Sequence, residues 1–172
     1  MSQNRLYQAE AFWRYSTDTY SQLGMKDLCL ACQDQLGLNV NVILLCGWVS
    51  VFGKTLTRRQ VQGLLWSIKE TEAKLKKQRL ARNRYKRGSD AYRDCLKQEL
   101  AQESEQQRIL LQKLAECDLT EGVFDSKEAN GSVFQSHPLK TYFSLCGVNN
   151  HEIEQGLLVN LSDSKTTYKD TD

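Results

Sequence analysis

Residues 58–117 read RRQVQGLLWSIKETEAKLKKQRLARNRYKRGSDAYRDCLKQELAQESEQQRILLQKLAEC, and this stretch decides the fold. It contains no proline and only two glycines, so little in it opposes two long helices. Thr57 and Gln60 fit a capping box, in which each side chain accepts a hydrogen bond from the other residue's backbone amide. Gly88 and Ser89, followed by an acidic residue, predict a helix end and a new N-cap. The sequence therefore predicts an antiparallel helical hairpin with a tight turn between its arms.

The two arms of this hairpin differ in how their apolar residues continue. The first arm has an apolar stripe formed by Val61, Leu64, Leu65, Ile68 and Leu75. Apolar residues become sparse beyond Leu75, so we expect the helix to leave the core there. The second arm has a seam of residues at alternating steps of four and three, which is typical of a coiled coil. Its members are Leu96, Leu100, Glu103, Gln107, Leu110, Leu114 and Cys117. Two of them, Glu103 and Gln107, are polar and lie in the middle of the seam. The seam is thus predicted to be under-filled unless something else covers it.

Helical patterns elsewhere in the 172 residues make the predicted fold class all-α, a helical core with this long hairpin and short C-terminal helices. Helices are predicted over 7–22, 28–36 and 42–52. The last of these is apolar all round and, taken alone, also fits a buried strand, but its helical neighbours favour a central buried helix.

The C-terminal part predicts shorter elements. A loop is expected over 122–134, a short helix from Pro138 to Leu145, and a last helix from Asn150 to Leu161. We predict one helical domain over residues 1–161 and a disordered tail over 162–172.

Location is predicted from the apolar segments. The longest, 40–52, is too short to span a bilayer, and the N-terminus lacks the apolar core of a secretory signal. We therefore expect a cytoplasmic protein with no membrane contact, whose six cysteines stay as thiols.

Cys29 and Cys32 form a C-x-x-C pair, a spacing used by zinc and redox sites. A zinc site needs a second ligand pair, and the two histidines, His137 and His151, are isolated in the sequence. On a helix the two cysteines share a face, so burial in the core is the favoured interpretation. We expect no metal and no cofactor.

Charge is divided unevenly along the hairpin. From Arg58 to Arg87, eleven basic residues face two acidic ones, a net charge of +9; from Ser89 to Glu128, five basic residues face ten acidic ones, a net charge of −5. Eight cations of the basic arm are candidates for contact with phosphate or with a partner: Lys74, Lys76, Lys77, Arg79, Arg82, Arg84, Lys86 and Arg87. The alternative is that the acidic arm, lying antiparallel, neutralises part of this charge.

Other residues offer weaker candidates for a site. Gln33, Asp34 and Asn41 bracket Gly37 and would either line a small polar pocket or cap helix ends and turns, which we favour. Each histidine is expected at the surface near a helix N-terminus. Five aromatic residues either line a ligand pocket or, as we favour, form the core: Phe12, Trp13, Tyr20, Trp48 and Trp66. We find no catalytic set.

Two motifs resemble a bacterial domain-of-unknown-function family. The first has the pattern F-W-x-x-S-x-x-x-Y at residues 12–20, and the second L-x-x-Q-D-x-x-G-x-x-V-N-x-x-L-x-x-x-W at residues 30–48. The resemblance extends to about Asn150, and the family pattern has an acidic residue where this chain has Asn39. It implies a bacterial cytoplasmic origin but no activity, substrate or cofactor.

Taken together, these features predict a non-enzymatic interaction protein. Its hairpin would bind an unidentified protein partner or form a homo-oligomer. The alternative hypothesis is binding to nucleic acid or a ribonucleoprotein through the basic arm.

Overall fold

The structure is a computed structural model that describes residues 3–122 and 137–169, with side chains for residues 4–122 and 137–162. Within these ranges the chain forms nine helices and a two-stranded ribbon, and the all-α prediction is confirmed. Their bounds are α1 Gln3–Leu6, α2 Ala9–Tyr20, α3 Met25–Gln35, α4 Val40–Val51, β1 Lys54–Thr55, α5 Arg58–Ser67, α6 Lys69–Arg82, α7 Asp90–Ala115, β2 Thr120–Glu121, α8 Pro138–Leu145 and α9 His151–Lys169.

Helix α4 lies at the centre of the core, and every residue from Asn41 to Val51 is buried. It contacts α2, α3, α7, α8 and α9. The Asn39 side chain caps it by accepting the Val42 amide at 3.0 Å. The segment that would also have fitted a strand is therefore a buried helix, as predicted.

Trp48 joins α4 to the N-terminal helices. Its ring centroid lies 6.1 Å from that of Phe12 and 5.1 Å from that of Tyr15, both on α2. Its indole nitrogen donates a hydrogen bond to the Leu6 carbonyl at 2.9 Å. The polar atom of this buried side chain therefore has a hydrogen-bond partner.

The first arm of the hairpin begins as predicted but is broken in its middle. Thr57 and Gln60 form the capping box at the start of α5. The single long helix predicted from there is wrong, because α5 ends at Ser67 and α6 begins at Lys69. The Ser67 hydroxyl donates to the Leu64 carbonyl at 2.7 Å, and the Thr71 hydroxyl donates to the Ile68 carbonyl at 2.9 Å. Such side-chain bonds compete with the helical ladder on both sides of Ile68.

The second arm begins at the predicted N-cap. The Ser89 hydroxyl accepts the Tyr92 amide at 3.2 Å, and Gly88 has a φ of +83°, which a residue with a Cβ rarely adopts. Helix α6 ends at Arg82, six residues before that glycine, so the connection is longer than the tight turn predicted. The two arms, α6 and α7, pack on each other over much of their length.

Three features near the C-terminal end complete the comparison with the sequence. The antiparallel ribbon, in which Lys54 pairs with Glu121 and Thr55 with Thr120, was not predicted. Helix α9 continues to Lys169, whereas the sequence predicted an end at Leu161 and a disordered tail from residue 162. The loop predicted over 122–134 lies, after its first residue, outside the described residues, as do 170–172.

None of the helices described here is both long and apolar enough to cross a membrane.

Candidate functional site

The seam between α6 and α7 is closed mainly by charged side chains. Arg79 Nη2 lies 3.3 Å from Glu103 Oε1, and Arg82 Nη1 lies 3.0 Å from Glu99 Oε2. Leu75 is the buried residue of α6 and lies apart from the main core. The seam predicted to be under-filled is thus occupied by ion pairs.

Glu99 is the most buried charge in this seam, with 5% of its surface exposed. Burial raises the pKa of its carboxyl, while Arg82 and Arg79 oppose that rise. Its second oxygen, Oε1, and the Arg82 Nε nitrogen have no hydrogen-bond partner among the described atoms. The carboxylate is therefore held by one contact in a poorly solvated position.

Leu100 was predicted in the seam but is 57% exposed. The buried residues of α7 include Glu99, Gln106 and Leu110, so the seam is shifted by one residue at its distal end. Leu100 is rotated by about 100° from Glu99 on the helix. The prediction failed because it required an apolar residue where α7 places a carboxylate.

The charges of the hairpin, residues 58–117, do not cancel. They comprise fifteen basic and eight acidic residues, and each of the eight acids is paired with its own cation, which leaves seven cations over. All seven have no ion pair with a described residue, and all lie on the basic arm: Arg58, Arg59, Lys69, Lys77, Arg84, Lys86 and Arg87. The acidic arm therefore neutralises only part of the basic arm.

The eight cations singled out from the sequence divide into two sets. Arg79 and Arg82 face α7, while Lys74 pairs with Glu70 and Lys76 with Glu72 along α6. The other four belong to the unpaired set and are exposed: Lys77, Arg84, Lys86 and Arg87. Half of the predicted contact residues are thus available with their charge uncompensated.

Trp66, which was predicted in the core, is 74% exposed on the outer face of α5. The Lys69 ammonium lies 5.0 Å from the centroid of its ring, a cation–π distance. The sequence prediction missed this residue and its neighbours Arg59 and Lys69. A signal for it was available, because Arg59, Trp66, Ala73, Leu80 and Arg87 follow one another at steps of seven.

The predicted polar pocket is not assembled. The Gln33 amide donates to Asp34 Oδ1 at 3.1 Å, and both carry exposed surface at the end of α3. Asn41 is buried elsewhere and donates to Gln106 Oε1 at 2.9 Å, while its own oxygen accepts from Gln107 at 2.9 Å. These partners are side chains and not the backbone amides of a helix end or turn, so the capping interpretation is wrong as well; the N-cap of α4 is Asn39.

Asn41 belongs to a buried amide network that fastens the hairpin to α4. Gln106 Oε1 accepts a second hydrogen bond from Asn39 at 3.0 Å, and Gln106 Nε2 donates to Thr71 Oγ1 at 3.2 Å. The amide of Asn39 also donates to the Glu72 carboxylate. The proximal part of the hairpin is thereby fixed in orientation relative to the core.

Cys29 and Cys32 are fully buried free thiols, as predicted. Burial raises the pKa of Cys29 to about 12 and that of Cys32 to about 11, so burial disfavours the thiolate form of both. His137 was predicted at the surface but is buried, where its Nδ1 accepts the Leu139 amide at 3.1 Å at the start of α8. His151 is exposed, as predicted.

A groove of about 810 Å³ lies between α1, the end of α4 and the ribbon. Its charged groups include Lys54 and Glu121, which form an ion pair, and its thiol, Cys117, has a pKa raised by burial. A smaller cleft of about 180 Å³ lies between Trp13 and Arg108. No group of three or more metal-ligating side chains was found among the described residues.

The fold and the charge distribution define a helical protein with a basic, partly apolar arm projecting from a helical core. The chain belongs to the family described as protein of unknown function (DUF2390), whose model matches residues 11–110. This match runs from the third residue of α2 through most of α7, and includes both arms of the hairpin up to Leu110. Comparison with curated proteins and with solved structures found no match.

Proposed function

We propose that this protein is a non-enzymatic, cytoplasmic interaction protein whose hairpin is the binding surface for another protein. The observation that carries the proposal is the surplus of seven cations on the basic arm that have no ion pair with a described residue, beside the exposed side chains of Trp66 and Leu80. Aromatic and aliphatic anchors bordered by charge are the usual composition of a protein-binding patch.

The polar groups of the chain support a binding role more than a catalytic one. The amide network of Asn39, Asn41 and Gln106 is buried and internally paired. The thiols of the C-x-x-C pair are buried with raised pKa values. Catalysis needs a nucleophile or base within reach of a substrate, and these groups are turned into the core.

The test uses affinity capture from cell extract together with light scattering. One variant replaces Lys77, Arg84, Lys86 and Arg87 with glutamine; a control with the same number of changes replaces Arg93, Lys97, Arg108 and Lys113 of α7 with glutamine. We expect the first variant to lose a captured protein that the control retains, with both remaining folded. Equal capture by all three proteins, or a strict monomer that captures nothing, would contradict the proposal.

Nucleic-acid binding is a second candidate, and the end of the hairpin favours it. Arg84, Lys86 and Arg87 are exposed and unpaired among the described residues, and Tyr85 beside them is exposed as well. Cations that track phosphates and an aromatic ring that stacks on a base form the usual single-strand interface.

A salt titration of binding to a random-sequence oligonucleotide tests this candidate. Binding that weakens steeply with salt, and that the triple change of Arg84, Lys86 and Arg87 to glutamine removes, would support it. Absence of binding at low salt would reject it.

A further inference from the structure

The outer face of α5 and α6 carries an ordered stripe, which extends from Arg59 to Leu80. Its apolar members, Trp66, Ala73 and Leu80, are seven residues apart and all exposed. Trp66 and Leu80 expose 74% and 66% of their surfaces. Side chains at steps of seven on a helix lie along one line, so these three form a continuous row.

The row stays on one side of the arm despite the break at Ile68. The inward residues Val61, Ile68, Leu75 and Arg82 are also seven apart; the first three are buried, and Arg82 reaches Glu99 across the seam. Each outward residue comes five positions after an inward one, about 140° further around the helix. Because the inward row faces the core and α7 throughout, the outward row faces away from them throughout.

The unpaired charges that flank the row are all positive. Arg59 precedes the row, and Lys69 and Lys77 lie beside it, each without an ion pair to any described residue. The acidic residue at its edge, Glu70, is already paired with Lys74 at 2.7 Å. A partner that covers the row therefore meets surplus positive charge on both sides.

From this pattern we infer that the outer face of the basic arm docks an acidic amphipathic helix of another protein. Apolar residues at a seven-residue period bordered by cations match a helix with apolar residues at the same period bordered by Asp and Glu. The distance from Trp66 to Leu80 is about 21 Å along a helix, so the docked segment spans about four turns.

Two other occupants fit the pattern less well. The acidic side chains of a second copy's hairpin are each paired with a cation of their own, so hairpin-to-hairpin association would set surplus positive charge against surplus positive charge. A nucleic acid would use the cations but would gain little from Ala73 and Leu80, which have neither charge nor an aromatic ring.

The inference rests on the proposed function and deepens it by naming the face and the chemistry of the partner. It is tested by photo-cross-linking of the full chain in extract of its own cells, with a photoreactive phenylalanine at Ala73 in one variant and at Ala101 in another. The two alanines are both exposed, one on the outer face of α6 and one on α7. Mass spectrometry then identifies the cross-linked segment.

We expect cross-links from position 73 to a segment with net negative charge and apolar residues at steps of three and four. A synthetic peptide of that segment should bind the wild-type chain, and Trp66→Ala or Leu80→Ala should weaken binding roughly tenfold or more. Leu23→Ala, a change at an exposed leucine outside the stripe, should leave it unchanged.

Other outcomes separate the two proposals. Cross-links from position 101 alone would overturn this inference and leave the hairpin as a protein-binding surface. Cross-links from neither position would overturn both. Cross-links from position 73 to nucleic acid or to a second copy of this chain would replace the acidic helix with that occupant.

Discussion

Arg82 Nη1 lies 3.0 Å from Glu99 Oε2, and this contact joins the two arms of the hairpin beyond the last buried leucine of the basic arm. The pair ties one of the arm's cations to a carboxylate of which 5% is exposed. Together with Arg79 and Glu103 it closes the distal seam by charge where most coiled coils use apolar residues. The cations left outside the seam belong to the surface for which we propose a binding role.

Removing the cation of this pair should destabilise the protein. Arg82→Met leaves the Glu99 carboxylate buried without its partner, and we expect the free energy of unfolding to fall by about 1 to 3 kcal/mol. Lys77 is an exposed cation without an ion pair to any described residue. Lys77→Met should therefore change the free energy of unfolding by no more than about 0.5 kcal/mol. Urea unfolding of both variants measures the difference, and equal effects would show that the seam pair does not hold the arms together.

The pH dependence of stability should reveal Glu99. Burial raises the pKa of this carboxyl above its unfolded value, so the folded state binds the proton more tightly. The free energy of unfolding of the wild type should therefore fall relative to Glu99→Gln as pH rises through that raised pKa. Urea unfolding from about pH 4 to about pH 8 tests this.

Glu105 is the matched control for the pH experiment. Its hydrogen bond with Arg108 lowers the pKa of its carboxyl, so the wild type should gain stability relative to Glu105→Gln as pH rises. The same sign for both carboxyls would be inconsistent with a buried Glu99.

The amide network should be essential for attaching the hairpin to the core. Gln106→Met removes the acceptor for Asn39 and Asn41 while conserving length, and should cost about 1 to 3 kcal/mol. Gln112→Met, at an exposed position of the same helix, should cost no more than about 0.5 kcal/mol. Thermal unfolding compares the two, and similar losses would refute the structural role of the network.

Two glycines within helices should respond to alanine with opposite signs. A Cβ at Gly47 would lie 2.6 Å from Leu161 Cδ2 and would also collide with the Tyr15 hydroxyl, so Gly47→Ala should cost about 1 to 3 kcal/mol. At Gly63 the nearest atom, Lys113 Cε, is 3.5 Å away, so Gly63→Ala should gain up to about 1 kcal/mol of helix propensity. Calorimetry of both variants checks the signs, and a stabilising Gly47→Ala would show that α4 packs less closely than described.

The sequence predicted those elements that local chemistry determines. The capping box of Thr57 and Gln60, the N-cap at Ser89 and the proline at the start of α8 were each readable from a few adjacent residues. The burial of α4 followed from its apolar circumference. These features depend little on which helix packs beside which.

The candidate surface was less predictable because it depends on which charges meet. Periodicity placed Leu100 in the seam, but the structure places Glu99 there because Arg82 comes within reach of it from the other arm. Trp66 was assigned to the core because its spacing was taken to place it on an apolar helix face, although the inward row of Val61, Ile68 and Leu75 already occupied the buried side of the arm. Arg79 is turned inward, four residues after the buried Leu75, and pairs with Glu103, whereas Lys77 is turned outward and exposed.

Oxidative footprinting of Trp66 and Leu80 in cells tests most directly whether the outer face of the basic arm is a binding surface. Hydroxyl radicals modify exposed side chains, so both residues should react readily in the purified protein, where they are 74% and 66% exposed. In the cells that produce the protein we expect both to be protected at least about threefold, while Leu23, which is 99% exposed and outside the stripe, reacts as before. Equal modification of Trp66 and Leu80 in cells and in the purified protein would contradict the account.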